Sequence, residues 1–336
     1  MAATLKDVSL LAKVSMSTVS IVLRGNGDIR KISKVTQEKV YDAAQRLNYT
    51  TNIQAKALRG GMTSNAVIML FWATDFRLQI LTRFFSGLQT SILNNNYPCE
   101  IQIKPYTTDH LEESLDQRVQ NTCNGIIVCN PSEKDMVFLE STQISIPTVL
   151  YNRFSNKYST VHMDDATIGQ IPAEIFAKHL KKRPAVFRAP ATFENMNIRT
   201  STFEKFSKKN GMKTPIVIDV ENSMKGGFTG VEKLCSLDPF PDCLFCTSDF
   251  IALGALKALH RNNILVPDRI EVISIGNGNP DNVEYSIPSL SVIGLPIEEM
   301  AASCLEYVYL NITSFEKNAF SKEFPVHYIA RESCGK

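Results

Sequence analysis

From residue 65 onward, short apolar runs alternate with longer segments in which apolar residues recur every three or four positions. A run of four to eight apolar residues is typical of a buried strand, and the longer period is typical of a helix packed on one face. The candidate strands are 67–71, 100–104, 125–129, 148–151, 185–187, 216–220, 243–246 and 270–275. The candidate helices include 83–93, 111–121, 169–181, 198–209, 230–237 and 250–263. This alternation predicts right-handed βαβ units on parallel sheets, arranged as one sheet or as two lobes.

The first fifty residues carry helical patterns only, and they predict an all-α head of three helices. The apolar positions of the three segments are Leu5, Val8, Leu11 and Ala12, then Val19, Val22 and Leu23, then Val40, Ala43, Ala44 and Leu47. A break of three or four residues at Val14 and Ser15 separates the first two segments. Two short helices joined in this way are typical of a helix-turn-helix.

The outward face of the second helix carries Ser17, Thr18, Ser20 and Ile21. Hydroxyl and β-branched side chains are mediocre helix formers, so helix propensity alone does not select this composition for an exposed helix. Small polar side chains do suit close approach to phosphates and base edges. We therefore favour a DNA-reading surface over a merely solvated polar face.

Charge is divided unevenly along the chain. Residues 1–63 hold ten Lys/Arg and four Asp/Glu, a net charge of +6, whereas the remaining residues hold 26 and 30, a net charge of −4. A basic head on a mildly acidic body is the asymmetry expected when only the head meets a polyanion such as DNA.

Residues 51–64 form the predicted linker between head and body. About two turns of helical pattern end at Gly60 and Gly61. An isolated helix of that length is marginal in water, so we expect a hinge that gains helical order only against a partner.

The remaining composition excludes several classes of protein. No charged and apolar leader precedes Thr4, and the longest apolar run, 66–73, is too short to span a bilayer, so we expect a cytoplasmic protein with reduced thiols. The one CxxC, at Cys243 and Cys246, lies in a predicted buried strand, which favours core packing over redox or zinc chemistry. The chain has no glycine-rich phosphate loop, no HExxH and no Gly-x-Ser-x-Gly, so we expect no enzyme, no cofactor and no metal site.

The residues of the head and of the body together resemble the LacI/GalR family of bacterial transcription regulators. In the head the resemblance rests on Val14-Ser15-x-x-Thr18-Val19-Ser20-x-Val22-Leu23, Leu47-Asn48-Tyr49, Asn52 and Ala55-x-x-Leu58. In the body it rests on Val161-His162-Met163-Asp164-Asp165, Ser248-Asp249-Phe250-Ile251-Ala252, Val266-Pro267-Asp268 and Ala330-Arg331-Glu332-Ser333. It covers essentially the whole chain.

This resemblance implies a sequence-specific transcriptional regulator, a repressor by expectation, with a helix-turn-helix domain at 1–50 and a hinge helix at 51–64. Residues 65–336 would form a two-lobed effector-binding and dimerisation domain of the periplasmic-binding-protein type. The implied first lobe is about 65–161 plus 291–319, and the second is about 162–290 plus 320–336. A homodimer would bind double-stranded operator DNA of pseudo-palindromic sequence, and a small effector, a sugar or sugar derivative, would bind between the lobes.

The resemblance also implies which residues meet DNA. Met16, Ser17 and Ile21 would face base edges, with Ser15, Thr18 and Ser20 nearer phosphates. In the hinge, Asn52, Ala55, Leu58 and Arg59 would address the minor groove. Leu58 would be a wedge between base pairs, its alternative being an ordinary amphipathic leucine in a linker. Ile21 stands where the family often has arginine, so it replaces a guanine contact with contact to a thymine methyl. Lys13 stands where glycine or alanine is usual, and a positive φ there would cost about 1 kcal/mol.

In the effector cleft the resemblance implies that Arg199 clamps effector oxygens, its alternative being a surface charge. Further candidates are Trp72, Asp75, Asn152, Arg153, Asp165, Ser248 and Asn277. Trp72 would stack on a sugar face or pack in the core, and Asp165 would line the cleft or form a turn. Asn277 would substitute for a family aspartate that is Gly278 here.

Two other functional classes compete with this interpretation. A small-molecule binding or transport receptor without DNA function fits the body but not the +6 head. An enzyme of α/β type fits the alternation but lacks any catalytic set.

Overall fold

The computed structural model describes residues 5–23, 27–47, 65–75, 80–191, 194–313 and 319–335. The head consists of α1 (Leu5–Ala12), α2 (Met16–Leu23) and α3 (Lys34–Arg46). Their apolar faces close the small core that the sequence predicted, formed by Val8, Ala12, Val19, Val22, Val40, Ala43 and Ala44. The predicted hinge, 51–64, lies outside the described residues.

Two six-stranded sheets form the body, as the two-lobed interpretation requires. The strands of the first sheet are β1 (Ala66–Ala73), β2 (Cys99–Tyr106), β3 (Gly125–Cys129), β4 (Thr148–Tyr151), β5 (Ser159–Met163) and β11 (Ser321–Phe324). Those of the second are β6 (Pro184–Arg188), β7 (Ile216–Asp219), β8 (Cys243–Cys246), β9 (Glu271–Gly276), β10 (Ser291–Gly294) and β12 (His327–Ile329). The first sheet has the order β11-β5-β4-β3-β1-β2 and is parallel throughout. The second has the order β12-β10-β9-β8-β6-β7, with only β12 antiparallel.

Helices cover both sheets. Those of the first lobe are α4 (Leu81–Asn95), α5 (Leu111–Ser114), α6 (Gln117–Gln120), α7 (Glu133–Ser141) and α13 (Ile297–Thr313). Those of the second are α8 (Asp165–Lys178), α9 (Glu194–Lys209), α10 (Met224–Cys235), α11 (Asp249–Arg261) and α12 (Pro280–Glu284). The single helix predicted at 111–121 is divided, because Asp116 caps a second short helix by accepting a hydrogen bond from the backbone N–H of Val119. None of the described helices is both long and apolar enough to cross a membrane.

The two later crossings between lobes differ from the expected boundaries. Strand β10, expected in the first lobe, pairs with β9 in the second sheet, where Val292 and Ile293 are buried. Strand β11, expected in the second lobe, pairs with β5 in the first sheet. The first lobe is therefore residues 65–163 plus 297–324, so each of these two crossings lies about one strand later than the family resemblance implied.

Candidate DNA-reading helix and effector cleft

Helix α2 presents the face that the sequence predicted. Val19 and Val22 are fully buried against the other head helices, whereas Ser15, Met16 and Ser17 are exposed. Further along the same helix Thr18, Ser20 and Ile21 are half-buried. The exposed end of α2 is thus its first turn, the part of a recognition helix that reaches base edges.

Ser15 precedes α2 and caps its N-terminus. Its Oγ accepts a hydrogen bond from the backbone N–H of Thr18 at 3.0 Å and lies 2.9 Å from the Thr18 hydroxyl. This is the side-chain cap that hydroxyl residues make at helix N-termini. Ser15 therefore holds Met16 and Ser17 at the start of a well-defined helix.

The turn between α1 and α2 is tight. Lys13 has a φ of 53°, the left-handed conformation anticipated from its position. The chain is held there by the backbone N–H of Val14, which donates to the Ser9 carbonyl at 3.2 Å, and by the Ser9 hydroxyl, which donates to the Val14 carbonyl at 2.8 Å. These bonds fix α2 relative to α1.

Helix α3 packs against α2. The Tyr41 hydroxyl donates to the carbonyl of Val22 at 3.1 Å, near the C-terminal end of α2. Ser33 caps α3 by accepting a hydrogen bond from the backbone N–H of Thr36. The remaining DNA candidates, Asn52, Ala55, Leu58 and Arg59, lie outside the described residues.

A cavity lies between the two lobes at the carboxyl ends of their strands, where open α/β sheets bind ligands. Both lobes contribute to its lining, which mixes amides, one guanidinium and apolar side chains. The lining residues are Ile80, Asn130, Tyr151, Asn152, Met163, Met196, Arg199, Asn222, Thr247, Asn277, Leu295 and Ile297. Of the eight predicted effector residues, three line this cavity: Asn152, Arg199 and Asn277.

On the first-lobe side, Asn130 and Asn152 directly follow β3 and β4. Both have a left-handed backbone, with φ of 51° and 59°, which asparagine tolerates better than most residues. The Nδ2 of Asn152 lies 3.4 Å from the Oδ1 of Asn130. The two sharp turns therefore place two neighbouring amides at the cleft.

On the second-lobe side, Arg199 of α9 is held by a buried ion pair. Its Nε donates to the Oδ1 of Asp165 at 2.6 Å, and both residues are under a tenth exposed. Gly169 permits the approach of α8 to α9, because a Cβ there would lie 2.0 Å from the carbonyl oxygen of Arg199. Asp165, predicted as a cleft residue, thus positions Arg199 and is not itself part of the cavity lining.

Asn222, in the loop that follows β7, was not predicted from the sequence. Its Oδ1 is buried without a hydrogen-bond partner among the described residues. A buried acceptor left unpaired costs about 1–3 kcal/mol, which a ligand donor would offset. Asn130 and Thr247 were missed as well, although each directly follows a predicted strand, so the strand-end rule could have found them.

The other predicted effector residues are not among those that line the cavity. Trp72 is 1% exposed and packs against Phe84 with ring centroids 5.5 Å apart, so it belongs to the core. Asp75 accepts a hydrogen bond from the Thr108 hydroxyl, and Arg153 donates to the carbonyl of Pro131 at 2.6 Å. Ser248 is 1% exposed and precedes α11.

Beside the cleft, a polar link joins the lobes. Arg83 of the first lobe donates twice to the Glu298 carboxylate, at 2.7 and 2.6 Å, and reaches the carbonyl of Leu295 in the crossover at 3.0 Å. It also donates to the carbonyl of Gly276, at the end of β9 in the second lobe, at 3.2 Å. Arg83 therefore bonds both lobes in this conformation.

Asp249, the first residue of α11, ties that helix to the loop after β9. Its carboxylate accepts from the backbone N–H of Gly278 at 2.7 Å and of Phe250 at 2.9 Å. Burial nevertheless raises the pKa of the Asp249 carboxyl to about 6. A side chain at position 278 would meet the Phe250 ring and the Asp249 carboxylate, which explains the glycine there.

Comparison with known proteins matches both parts of the chain. Residues 4–52 match the model for bacterial regulatory proteins of the lacI family, and residues 173–334 match a periplasmic binding protein-like domain. A crystal structure of a LacI family transcription regulator from Clostridium acetobutylicum is 34% identical, with a TM-score of 0.75, and the match covers 80% of this chain and all of that one.

Two more distant proteins are similar over nearly the whole chain. The ribose operon repressor of Lactococcus lactis is 24% identical over 98% of this chain and 97% of its own length. The structure of the lac repressor dimer bound to operator and the anti-inducer ONPF has a TM-score of 0.70 at 18% identity, over 99% of both chains. The second likeness is one of fold.

Proposed function

The chain belongs to the LacI family of bacterial regulatory proteins, and we propose that it is a transcriptional repressor whose operator affinity is set by a small effector between its lobes. The observation that carries the proposal is the presence, in one chain, of an exposed helix-turn-helix face and a polar cleft between two lobes. A transport receptor needs only the cleft.

The exposed side chains at the start of α2 support direct reading of DNA. Met16 is 51% exposed, and Ser17 is exposed beside it. Ile21, half-buried one turn on, offers a methyl-rich surface to thymine where an arginine would select guanine. We propose that Ser15, Thr18 and Ser20 lie nearer the phosphates, with Asn52, Ala55, Leu58 and Arg59 of the hinge in the minor groove.

The chemistry of the cleft supports a hydroxyl-rich effector, a sugar or sugar derivative. Asn152, Asn222 and Asn277 offer both donors and acceptors, as vicinal hydroxyls require, and Arg199 offers a fixed fork of donors. Apolar side chains such as Met163 and Leu295 line much of the rest, as is usual for ligand sites in which a few polar groups set orientation. The name of the related ribose operon repressor points to the same ligand class.

Exposed apolar side chains in the second lobe support a homodimer. Tyr285 is 81% exposed and Ile287 is 91% exposed, just beyond α12. Large apolar side chains left this open are typical of surfaces that bury against a partner. A dimer would carry two heads, which fits a pseudo-palindromic operator.

A screen of sugars, sugar acids and phosphorylated sugars by thermal shift would identify the effector. A ligand at 100 times its Kd stabilises the native state by about 2.7 kcal/mol. We expect the shift to disappear in Arg199→Ala and to persist in Arg188→Ala, a matched control on the same lobe whose partly exposed guanidinium pairs with Asp219. Equal shifts in both variants would place the ligand elsewhere.

A further inference from the structure

Three side chains with metal-binding chemistry meet at the end of the second lobe opposite the cleft. His179 is the C-cap of α8, Glu271 is the first residue of β9, and Cys334 lies in the C-terminal segment after β12. Since β9 runs from Glu271 to Gly276, Glu271 is roughly 17 Å from the cleft end of that strand. Neither the DNA-reading helix nor the effector cleft uses this cluster.

The three donor atoms are in mutual contact. The Nδ1 of His179 lies 2.9 Å from the Oε2 of Glu271, and the Sγ of Cys334 lies 3.3 Å from the same oxygen. The sulfur and the ring nitrogen are 3.7 Å apart. Glu271 and Cys334 are buried, whereas about a quarter of the His179 side chain is exposed, which opens a path from solvent.

We propose that His179, Glu271 and Cys334 bind one divalent transition-metal ion of the zinc type. Imidazole, carboxylate and thiolate are the ligands that Zn²⁺ uses in proteins. Tetrahedral coordination at ordinary Zn–N, Zn–O and Zn–S lengths separates such ligand atoms by about 3.3–3.6 Å. The observed distances of 2.9, 3.3 and 3.7 Å form one face of such a tetrahedron after small side-chain movements. Water would complete the coordination.

Charge sets how tightly the ion binds. Burial raises the pKa of the Cys334 thiol to about 12, so the metal must displace the thiol proton to solvent. The Lys181 ammonium lies 3.4 Å from Oε1, the other oxygen of Glu271, and repels an incoming cation. Removing that charge leaves all three ligands in place, so Lys181→Gln should bind the metal more tightly.

Metal binding should cross-link the C-terminal segment to the rest of the second lobe. The ion would be coordinated by Cys334, His179 and Glu271 at once, in place of the hydrogen-bonding contacts that join these side chains without metal. Because all three ligands belong to one lobe, we expect greater thermal stability of that lobe and unchanged lobe closure.

Cobalt titration of the full-length protein, first stripped of metal with a chelator, tests the site. Co²⁺ bound by Cys334 should show thiolate-to-cobalt charge-transfer absorption that saturates at one ion per chain. In Cys334→Ser we expect the band to vanish and the affinity to fall more than about tenfold, since even partners of ligands are worth about 10–100-fold. Cys235→Ser is the matched control, because Cys235 is exposed and lies outside the cluster.

The second variant keeps the test decisive if Cys334→Ser fails to fold. Lys181→Gln should shift the Co²⁺ and Zn²⁺ titrations to lower concentration. Absence of a thiolate band in the wild type would show that the cluster is only a hydrogen-bonded contact. Equal metal affinity in Cys334→Ser, or unchanged affinity in Lys181→Gln, would place the bound ion outside this cluster.

Discussion

Lys13, Asn130 and Asn152 all adopt a left-handed backbone conformation, the first at the turn before α2 and the others at the cleft. Asparagine tolerates this conformation through its short polar side chain, but lysine has no such compensation. The turn at Lys13 is nevertheless kept by the hydrogen bonds between Ser9 and Val14. Of these three turns, only the one at Lys13 carries the conformational cost of a residue that disfavours the left-handed region.

Replacing Lys13 with glycine should stabilise the head by about 1 kcal/mol, because glycine adopts a positive φ without the Cβ clash. Amide hydrogen exchange in α1 and α2 of the full-length protein measures this directly. Lys13→Ala removes the same exposed side chain but keeps the Cβ, so its exchange should match the wild type. Equal protection in the two variants would show that the backbone at Lys13 carries no strain.

Asp249→Asn should change the pH dependence of stability. Burial raises the Asp249 pKa from 3.8 to about 6, so the native state holds this proton more tightly than the unfolded chain does. The contribution of this proton to the free energy of unfolding is complete below about pH 4 and is lost as the pH rises through 6. The change is at most about 3 kcal/mol. In urea unfolding experiments, the free energy of unfolding of the variant should rise relative to that of the wild type between pH 4 and pH 7. A difference that does not vary with pH would refute this assignment.

At the level of elements, glycines set how closely helices pack. A Cβ at Gly227 of α10 would lie 1.8 Å from the carbonyl oxygen of Ile251, and a Cβ at Gly254 of α11 would lie 1.8 Å from that of Met224. The two helices therefore cross with backbone against backbone. Because α11 begins at Asp249, beside the loop that carries Asn277, this crossing supports the second-lobe side of the cleft.

Gly254→Ala should destabilise the protein, since the clash is with backbone that cannot rotate away. We expect a loss of about 1–3 kcal/mol in the free energy of unfolding, the range for an overpacked core. Urea denaturation followed by circular dichroism would measure it, with Lys257→Ala on the exposed face of the same helix as the control. If Gly254→Ala loses no more free energy of unfolding than the control does, α10 and α11 must be able to move apart and accommodate the added methyl group.

The elements also show what could be read from the sequence. The strands at 125–129, 148–151 and 243–246 were predicted at their observed limits, because continuous apolar runs mark central parallel strands. Four strands, β5, β10, β11 and β12, were missed. The strands β11 and β12 are short and mostly exposed at sheet edges. The strands β5 and β10 are buried, but serine, threonine, histidine or glycine interrupts their apolar runs. Arg199 was predicted through family resemblance, but its partnership with Asp165 depends on the packing of α8 on α9, which no local pattern encodes.

At the scale of the whole molecule, the lobes meet at a polar cleft and are joined beside it by Arg83. A ligand that binds both lobes can shift their relative position only by binding one arrangement better than another. Arg83 favours the arrangement described here, because it bonds Gly276 of the second lobe and Leu295 of the crossover. Effector and operator binding would then be coupled through lobe movement.

Arg83→Met should weaken this coupling while leaving the fold intact. The variant removes the bonds to the crossover and to β9 but keeps an apolar side chain of similar length. Small-angle scattering should show a broader distribution of lobe separations, and effector affinity should fall. Unchanged scattering and affinity together would show that the Arg83 link does not hold the lobes.

The most direct test is one equilibrium titration: fluorescence anisotropy of a duplex selected from a random pool, with and without the effector identified by thermal shift. We predict a pseudo-palindromic duplex whose Kd in the wild type changes about 5–150-fold with effector, the usual range of allosteric coupling. Arg199→Ala should bind the free duplex like the wild type but not respond to effector. An effector that leaves the wild-type Kd unchanged, or an equal response in Arg199→Ala, would contradict the proposed regulation.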